Sequence, residues 1–289
     1  MATTGKVCKL VSIALAAIMG AFYPIDISAE ELVTFKSAAY RLGHLQERLA
    51  RERGETSKAS EVIEGYLSKP EASGPFPAIV YLHGCGGLSE NARKRVADLL
   101  TGWGYVSLAV DSFSTRGIKE ACTAQMPNRK GDALGALSYL SKLPFVDPQR
   151  IGLVGASQGG IVALELGSTG SIPQAGVFDI PEDLNFKAAV AYYPMCRFAG
   201  DELTLPTLIL IGELDDWSLA SDCQRFMKRR AGRGAPVDLI VYPGAYHDFD
   251  VPALVDGKKM FGHWLKYDLD AATSSVQVMH DFLLAQLSR

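Results

Sequence analysis

The sequence predicts an α/β protein: a mostly parallel β-sheet with helices packed on both faces. Short apolar runs bounded by Gly, Pro and polar turns alternate with stretches of helical character from residue 31 to residue 287. Such alternation argues for strands joined by helical crossovers. Residues 78–82 (Ala-Ile-Val-Tyr-Leu) are continuously apolar, as a strand covered on both faces must be. No Pro/Gly/Ser-rich linker and no repeat of fixed period divides this region, so one domain is expected over residues 30–289.

Taken in order, residues 32–35 form a first strand, followed by a charged helical stretch at 45–53. Residues 62–67 form a second strand, closed by Lys69-Pro70 and a Ser-Gly-Pro turn. After the strand at 78–82 comes a Gly-rich turn, His83-Gly84-Cys85-Gly86-Gly87. Ser89 then supplies the side-chain oxygen that caps a helix running to about Thr101. Strands at 105–110 and 151–154 each lead into a helix, at 132–143 and 160–166. Further strands are read at 188–193, 207–211 and 237–242, with helices at 221–230 and 275–287.

Composition excludes several classes. With 48% apolar residues the 289-residue chain can bury a full core, unlike a disordered one. With a net charge of −3, no general affinity for nucleic acid is implied. The one basic cluster, Lys228-Arg229-Arg230 with Arg233, reads as a solvated helix face. Residues 1–29 read as a secretory signal peptide: Lys6 and Lys9 precede a 13-residue apolar run, and Ile27-Ser28-Ala29 offers a cleavage site. That run is shorter than the roughly 20 residues a bilayer span needs, so no stable membrane insertion is expected once the signal is gone. Export to the periplasm or the medium also suits the cysteines. Cys8 leaves with the signal, and Cys85, Cys122, Cys196 and Cys223 permit two disulfides in three pairings.

In parallel sheets ligands bind beyond the carboxyl ends of the strands. Gly155-Ala156-Ser157-Gln158-Gly159 lies between the strand at 151–154 and a helix. This is the Gly-x-Ser-x-Gly pattern of a nucleophile elbow, whose small residues permit a strained turn that lifts the serine above the sheet. A serine hydroxyl needs a histidine to take its proton, and that histidine needs an orienting carboxylate. Both follow late strands. Glu213, Asp215 and Asp216 come after 207–211, and His247 comes after 237–242. Asp215 is preferred as the acid, with Asp216 and then Glu213 as alternatives that periodicity does not separate. His44, His263 and His280 read as structural or surface residues, the latter two in or near the last helical region. No metal-ligand spacing is present, and no metal is expected. The oxyanion donors are expected to be the backbone N–H groups of Gln158 and of Cys85 in the Gly-rich loop.

With these residues placed, the chain resembles the dienelactone hydrolase family of α/β-hydrolases. The resemblance rests on Leu82-His83-Gly84-Cys85-Gly86-Gly87, Gly155-Ala156-Ser157-Gln158-Gly159, Gly212-Glu213-Leu214-Asp215-Asp216-Trp217 and Tyr246-His247-Asp248-Phe249. It begins near Glu64, leaving residues 30–60 as an N-terminal extension. It implies an eight-stranded α/β-hydrolase sheet and a cofactor-free Ser157–Asp215–His247 hydrolase. It also favours Asp215 over Asp216, because the family's acid is the fourth residue of Gly-x-x-Asp. The namesake ring-opening enzymes carry a cysteine nucleophile where this chain has Ser157. The family's strand order makes the third and fourth strands neighbours, and likewise the sixth and seventh, which implies the disulfides Cys85–Cys122 and Cys196–Cys223.

The expected activity is hydrolysis of a small carboxylic ester or lactone through an acyl-serine. The loop at 111–127 is expected to shape the substrate pocket. Arg116 is expected either to meet a substrate carboxylate or to form a structural salt bridge. The rival readings are an exported serine peptidase on the same three residues and a non-catalytic ligand-binding protein.

Overall fold

The computed structural model describes residues 30–38, 48, 52, 61–168, 180–181 and 183–288. The signal-peptide reading of residues 1–29 lies outside them. So does most of the helical stretch at 45–53, of which Arg48 and Glu52 are helical and 3.8 Å apart as an ion pair.

Eight strands form one sheet: β1 (Glu31–Lys36), β2 (Val62–Ser68), β3 (Phe76–Leu82), β4 (Val106–Asp111), β5 (Val146–Ala156), β6 (Ala189–Tyr192), β7 (Thr207–Gly212) and β8 (Val237–Tyr242). Their spatial order is β1-β2-β4-β3-β5-β6-β7-β8. Strand β2 runs antiparallel to both β1 and β4, and every pair from β4 through β8 is parallel. The expected eight-stranded, mostly parallel α/β-hydrolase sheet is therefore present. Every residue of β4, β6 and β7 is buried, which explains why apolar residues dominate them.

Chain direction decides which face each helix covers. The crossover from β3 through α1 (Glu90–Gly102) moves one way along the sheet, to β4. The crossover from β4 through α2 (Arg129–Leu140) moves the other way, past β3 to β5. Because such connections are right-handed, a reversal of direction puts the two helices on opposite faces. Helix α3 (Gln158–Gly167), leading to β6, and α4 (Ala220–Arg230), leading to β8, continue in the direction of α2. The final helix, α5 (Leu269–Leu287), joins α1, and residues of both line one cavity. The reversal opens a crevice beyond the carboxyl ends of β3 and β5, where the Gly-rich loop and the elbow lie.

Local chemistry sets the helix starts. The Ser89 side chain accepts a hydrogen bond from the N–H of Ala92, as expected. Helix α5 begins six residues before the expected start at Ser275, because Asp268 caps it by accepting from the N–H of Ala271 at 2.9 Å. The basic cluster is only partly the solvated face expected of it. Arg230 is buried and donates to the carbonyls of Arg233 and Ala235, while Arg229 and Arg233 pair with Asp201.

A two-stranded ribbon of β9 (Lys258–Met260) and β10 (His263–Leu265) was not expected from the sequence. Phe261 and Gly262, both at positive φ, make its turn. His263 thus lies in a strand rather than in the last helical region, whereas His280 lies in α5. Among the described residues no helix is long and apolar enough to cross a membrane.

Candidate active site

Ser157 occupies the sharp turn between β5 and α3 at φ 52° and ψ −112°, a conformation that non-glycine residues rarely adopt. The positions two residues to either side must be glycine for a measurable reason. A Cβ on Gly155 would stand 2.2 Å from the carbonyl oxygen of Gly159, and one on Gly159 would stand 2.2 Å from that of Leu82. The turn packs that closely against itself and against the end of β3. The elbow expected from Gly-x-Ser-x-Gly is therefore present, with its serine at the helix N-terminus.

His247 stands across from it, in the loop after β8. Its Nε2 is 3.0 Å from Ser157 Oγ, and its Nδ1 is 2.7 Å from Asp215 Oδ2. His247 and Asp215 are only 1% and 3% exposed, so these contacts are shielded from water. The second oxygen of Asp215 accepts from the N–H groups of Trp217 and Ser218, at 2.9 and 2.7 Å, which fixes the carboxylate plane. With the acid holding Nδ1–H, Nε2 is free to accept a proton from the serine.

The three acids considered from the sequence now have separate places. Asp215 faces His247. Asp216 instead accepts from the N–H of Trp264 and pairs with His263 at 3.5 Å, anchoring the β9–β10 ribbon. Glu213 accepts from the N–H of Gly244 and braces the loop that carries His247. The ribbon supports the histidine directly, since Lys266 donates its N–H to the His247 carbonyl at 3.2 Å.

Burial alone would push the His247 pKa down. The hydrogen bond and charge of Asp215, with Asp248 and Asp250 behind it, outweigh burial and raise it above the usual 6.5. Burial raises the Asp248 carboxyl, while the opposing charge of His247 limits the rise. Aromatic rings pack around the imidazole, with Tyr193 and Trp217 at centroid distances of 4.6 and 5.3 Å. Trp217 is itself stacked on His263 at 4.9 Å.

Cys85 and Gln158 lie on the other side of Ser157. Gln158 is the first residue of α3, so its N–H is among the helix donors that lack an intrahelical acceptor. The loop carrying Cys85 runs beside the elbow: a Cβ on Gly84 would be 3.5 Å from that of Ser157. One buried residue ties both together. Arg129, with no exposed surface, donates to the His83 carbonyl at 2.7 Å and to the Gln158 side-chain oxygen at 2.9 Å. The Gln158 amide in turn donates to the Ala121 carbonyl, and the Ala121 N–H donates to the Cys85 carbonyl. Burial pulls the Arg129 pKa down to about 10. His83 sits beneath this circuit as a neutral ring, its pKa pushed down to about 3 by burial and then by Arg129.

Both expected disulfides are formed. Cys85–Cys122 closes the circuit just described with an S–S distance of 2.05 Å, and Cys196–Cys223 joins the turn after β6 to the first turn of α4 at 1.98 Å. One other expectation needs correction, and the Arg116 alternative resolves to the structural salt bridge. The loop at 111–127 does not line the pocket, because Asp111 folds it back by accepting from the N–H groups of Phe113 and Ser114. Arg116 is held in a two-pronged pair with Asp132 at 2.7 and 2.8 Å and also meets Glu61, so it is a structural cation.

The open space above Ser157 is a cavity of about 520 Å³. Its walls are the 83–87 loop, the start of α1, Trp217, His247 and residues 251–253, with Met260 of the ribbon at the rim. Sequence reading gave Arg129 and Trp217 no role at the site; His263, read as structural or surface, pairs with Asp216 and stacks on Trp217. Arg129 did carry a signal, since a cation in the first turn of a helix opposes the helix dipole and needs a compensating partner.

Residues 63–287 match the dienelactone hydrolase family along most of the chain. The chain belongs to the dienelactone hydrolase family. Membership makes it a hydrolase whose family chemistry is the cleavage of ester bonds. Among curated proteins it is 26% identical over 195 residues to a Bradyrhizobium protein named "Probable 2-oxo-3-(5-oxofuran-2-ylidene)propanoate lactonase", covering 64% of this chain and 77% of that one. It is also 26% identical over 234 residues to dipeptidyl-peptidase 5 of Porphyromonas gingivalis, covering 66% of this chain but only 34% of the peptidase. Among solved structures, the dienelactone hydrolase-like promiscuous phosphotriesterase P91 from metagenomic libraries superposes with a TM-score of 0.58. That match has 19% identity and covers 88% of this chain and 98% of the other, which shows the shared fold.

Proposed function

We propose that this chain is an exported serine hydrolase that cleaves small carboxylic esters or lactones through an acyl-enzyme. The observation that carries the reading is the buried relay of Ser157 Oγ, His247 and Asp215 at 3.0 and 2.7 Å. His247 takes the Ser157 proton as Oγ attacks the ester carbonyl, and the imidazolium formed is held by Asp215. The N–H groups of Cys85 and Gln158 receive the developing oxyanion, each contributing about 2.7–4 kcal/mol to lowering the barrier. His247 returns the proton to the leaving alcohol, and water then releases the acid by the same steps in reverse. Every role is filled by this chain's own side chains and backbone.

Reading residues 1–29 as an export signal and 30–289 as the single mature domain belongs to the same proposal. Two disulfides support it, since such bonds persist in oxidising compartments. The test is turnover of p-nitrophenyl esters by protein beginning at Glu30, with Ser157→Ala alongside. The reading predicts hydrolysis by the wild type and none above background by the variant. Equal rates for both would overturn it.

A further inference from the structure

A second cavity, of about 920 Å³, lies between α1 and α5. Its volume is within the range of small-molecule sites. Val96 and Leu99 of α1 and Val276 of α5, all half-buried, face it, and Val154 of β5 contributes to its floor. Polar side chains collect at its outer mouth, where Asp98, Thr273 and Gln277 are exposed. The cavity adjoins the space above Ser157, for Tyr81, Arg95, Ala156 and Pro252 line both. Ala156 is the residue immediately before Ser157.

The charges at this junction are satisfied. Arg95 donates to the Asp250 carbonyl at 2.8 Å and to its carboxylate at 3.3 Å, and the Tyr193 hydroxyl donates to the other carboxylate oxygen at 2.8 Å. Neither charge is left to recruit an ionic ligand, so the inner cavity suits an apolar one. Its position selects which end of an ester it holds. His247 must pass a proton to the leaving alcohol, so the alcohol lies on the His247 and Trp217 side. Those two residues line the first cavity and not the second.

We infer that the second cavity receives the aliphatic acyl arm of the substrate, making the enzyme selective for esters of medium-chain fatty acids. The inference rests on the ester-hydrolase reading above and names its substrate class. Each methylene buried in the cavity should raise kcat/KM about fourfold, the ratio equivalent to the transfer energy of one CH₂.

The experiment compares wild type with Val276→Trp and Leu99→Trp, either of which places an indole in the cavity. If one substitution prevents folding, the other carries the test. The first readout is the ratio of kcat/KM for p-nitrophenyl decanoate to that for the acetate. The second is calorimetric binding of decanoate to the same proteins carrying Ser157→Ala, which needs no turnover. The ratio should exceed one in the wild type and fall at least tenfold with tryptophan, and decanoate binding should weaken in parallel. An unchanged ratio with unchanged binding would overturn the inference. So would a tryptophan effect confined to a series of alkyl acetates, in which only the alcohol arm lengthens. Absence of ester turnover with tryptophan-sensitive decanoate binding would instead sink the hydrolase reading and leave the cavity assignment standing.

Discussion

Replacing Arg129 by methionine removes a cation that no water reaches and strands two acceptors, the His83 carbonyl and the Gln158 side-chain oxygen. Each buried acceptor left unpaired costs about 1–3 kcal/mol. Loss of the desolvated charge offsets part of that sum, since burying a guanidinium is itself unfavourable, and a net loss of about 2–4 kcal/mol is expected. For a chain of this size that lowers Tm by about 10 °C. The larger consequence is for catalysis. His83 precedes the Gly84-Cys85 segment and Gln158 follows Ser157, so both proposed oxyanion donors lose their common tether. Full removal of one such donor costs 10²–10³ in kcat, and a displaced pair should cost about 10–100-fold. The assay is steady-state hydrolysis of p-nitrophenyl acetate below the lowered Tm, with kcat and KM resolved separately. The fall should lie in kcat, with KM nearly constant, and Arg129→Lys should recover part of it by serving one acceptor. A destabilised Arg129→Met protein with kcat within twofold of wild type would refute the tether and leave Arg129 a purely structural cation.

The relay makes a pH prediction. His247 acts as a base only when neutral, and its raised pKa places the acid limb of kcat/KM above pH 6.5. Asp215→Asn removes the partner that raises it, so the limb should move to lower pH while kcat drops by about 10⁴; a limb that stays in place would contradict the assignment. His83 bears on stability instead. Its folded pKa of about 3 lies below the usual 6.5, so below pH 6.5 the unfolded chain binds a proton the native protein refuses. Its contribution to stability is therefore lost as pH falls from 6.5 toward 3, at up to about 1.4 kcal/mol per pH unit. The raised pKa of His247 acts oppositely, adding stability below pH 6.5 that is lost as pH climbs through its folded pKa. Urea titrations of His83→Gln at pH 4 to 7 should show a flatter acid slope than wild type, and parallel curves would count against a buried neutral ring. The disulfides should separate stability from rate. Closing loops of 37 and 27 residues, each should contribute about 3.5–4 kcal/mol. The pair Cys85→Ser with Cys122→Ser should also lower kcat, by at least tenfold more than Cys196→Ser with Cys223→Ser, and equal losses would show that the 85–122 bridge does not position the oxyanion loop.

The sheet was legible because its central strands are buried on both faces, and runs such as Ile79–Val80–Tyr81–Leu82 have no other use. The elbow was legible for steric reasons, since Gly155 and Gly159 have carbonyls 2.2 Å from where a side chain would begin. What escaped sequence reading depends on contacts far apart in the chain. The strands of the β9–β10 ribbon have three residues each, and two Lys with a Gly turn carry no alternating pattern for strand periodicity to find. Trp217 and His263 meet only because Asp216 pins that ribbon against the acid loop. Arg129, unfavourably placed in the first turn of its helix, hinted at a compensating partner, but its burial depends on the Gly-rich loop and the elbow converging on it, which spacing does not reveal. Asp215 was preferred over Asp216 through the Gly-x-x-Asp resemblance, and the structure adds what each carboxylate faces: His247 for Asp215, the ribbon for Asp216. The 111–127 loop was misjudged for a related reason: Asp111 and the Arg116–Asp132 pair turn it inward on itself, which spacing along the chain does not reveal.

The central claim is that Ser157 is a nucleophile activated by His247. The most direct measurement is the intact mass of the protein after brief exposure to a fluorophosphonate, followed by peptide mapping of the adduct. The account predicts a single adduct on Ser157, formed quickly by the wild type, slowed at least a hundredfold by His247→Ala and absent from Ser157→Ala. A wild type that stays unlabelled while folded, or an adduct that forms as fast without His247, would contradict it.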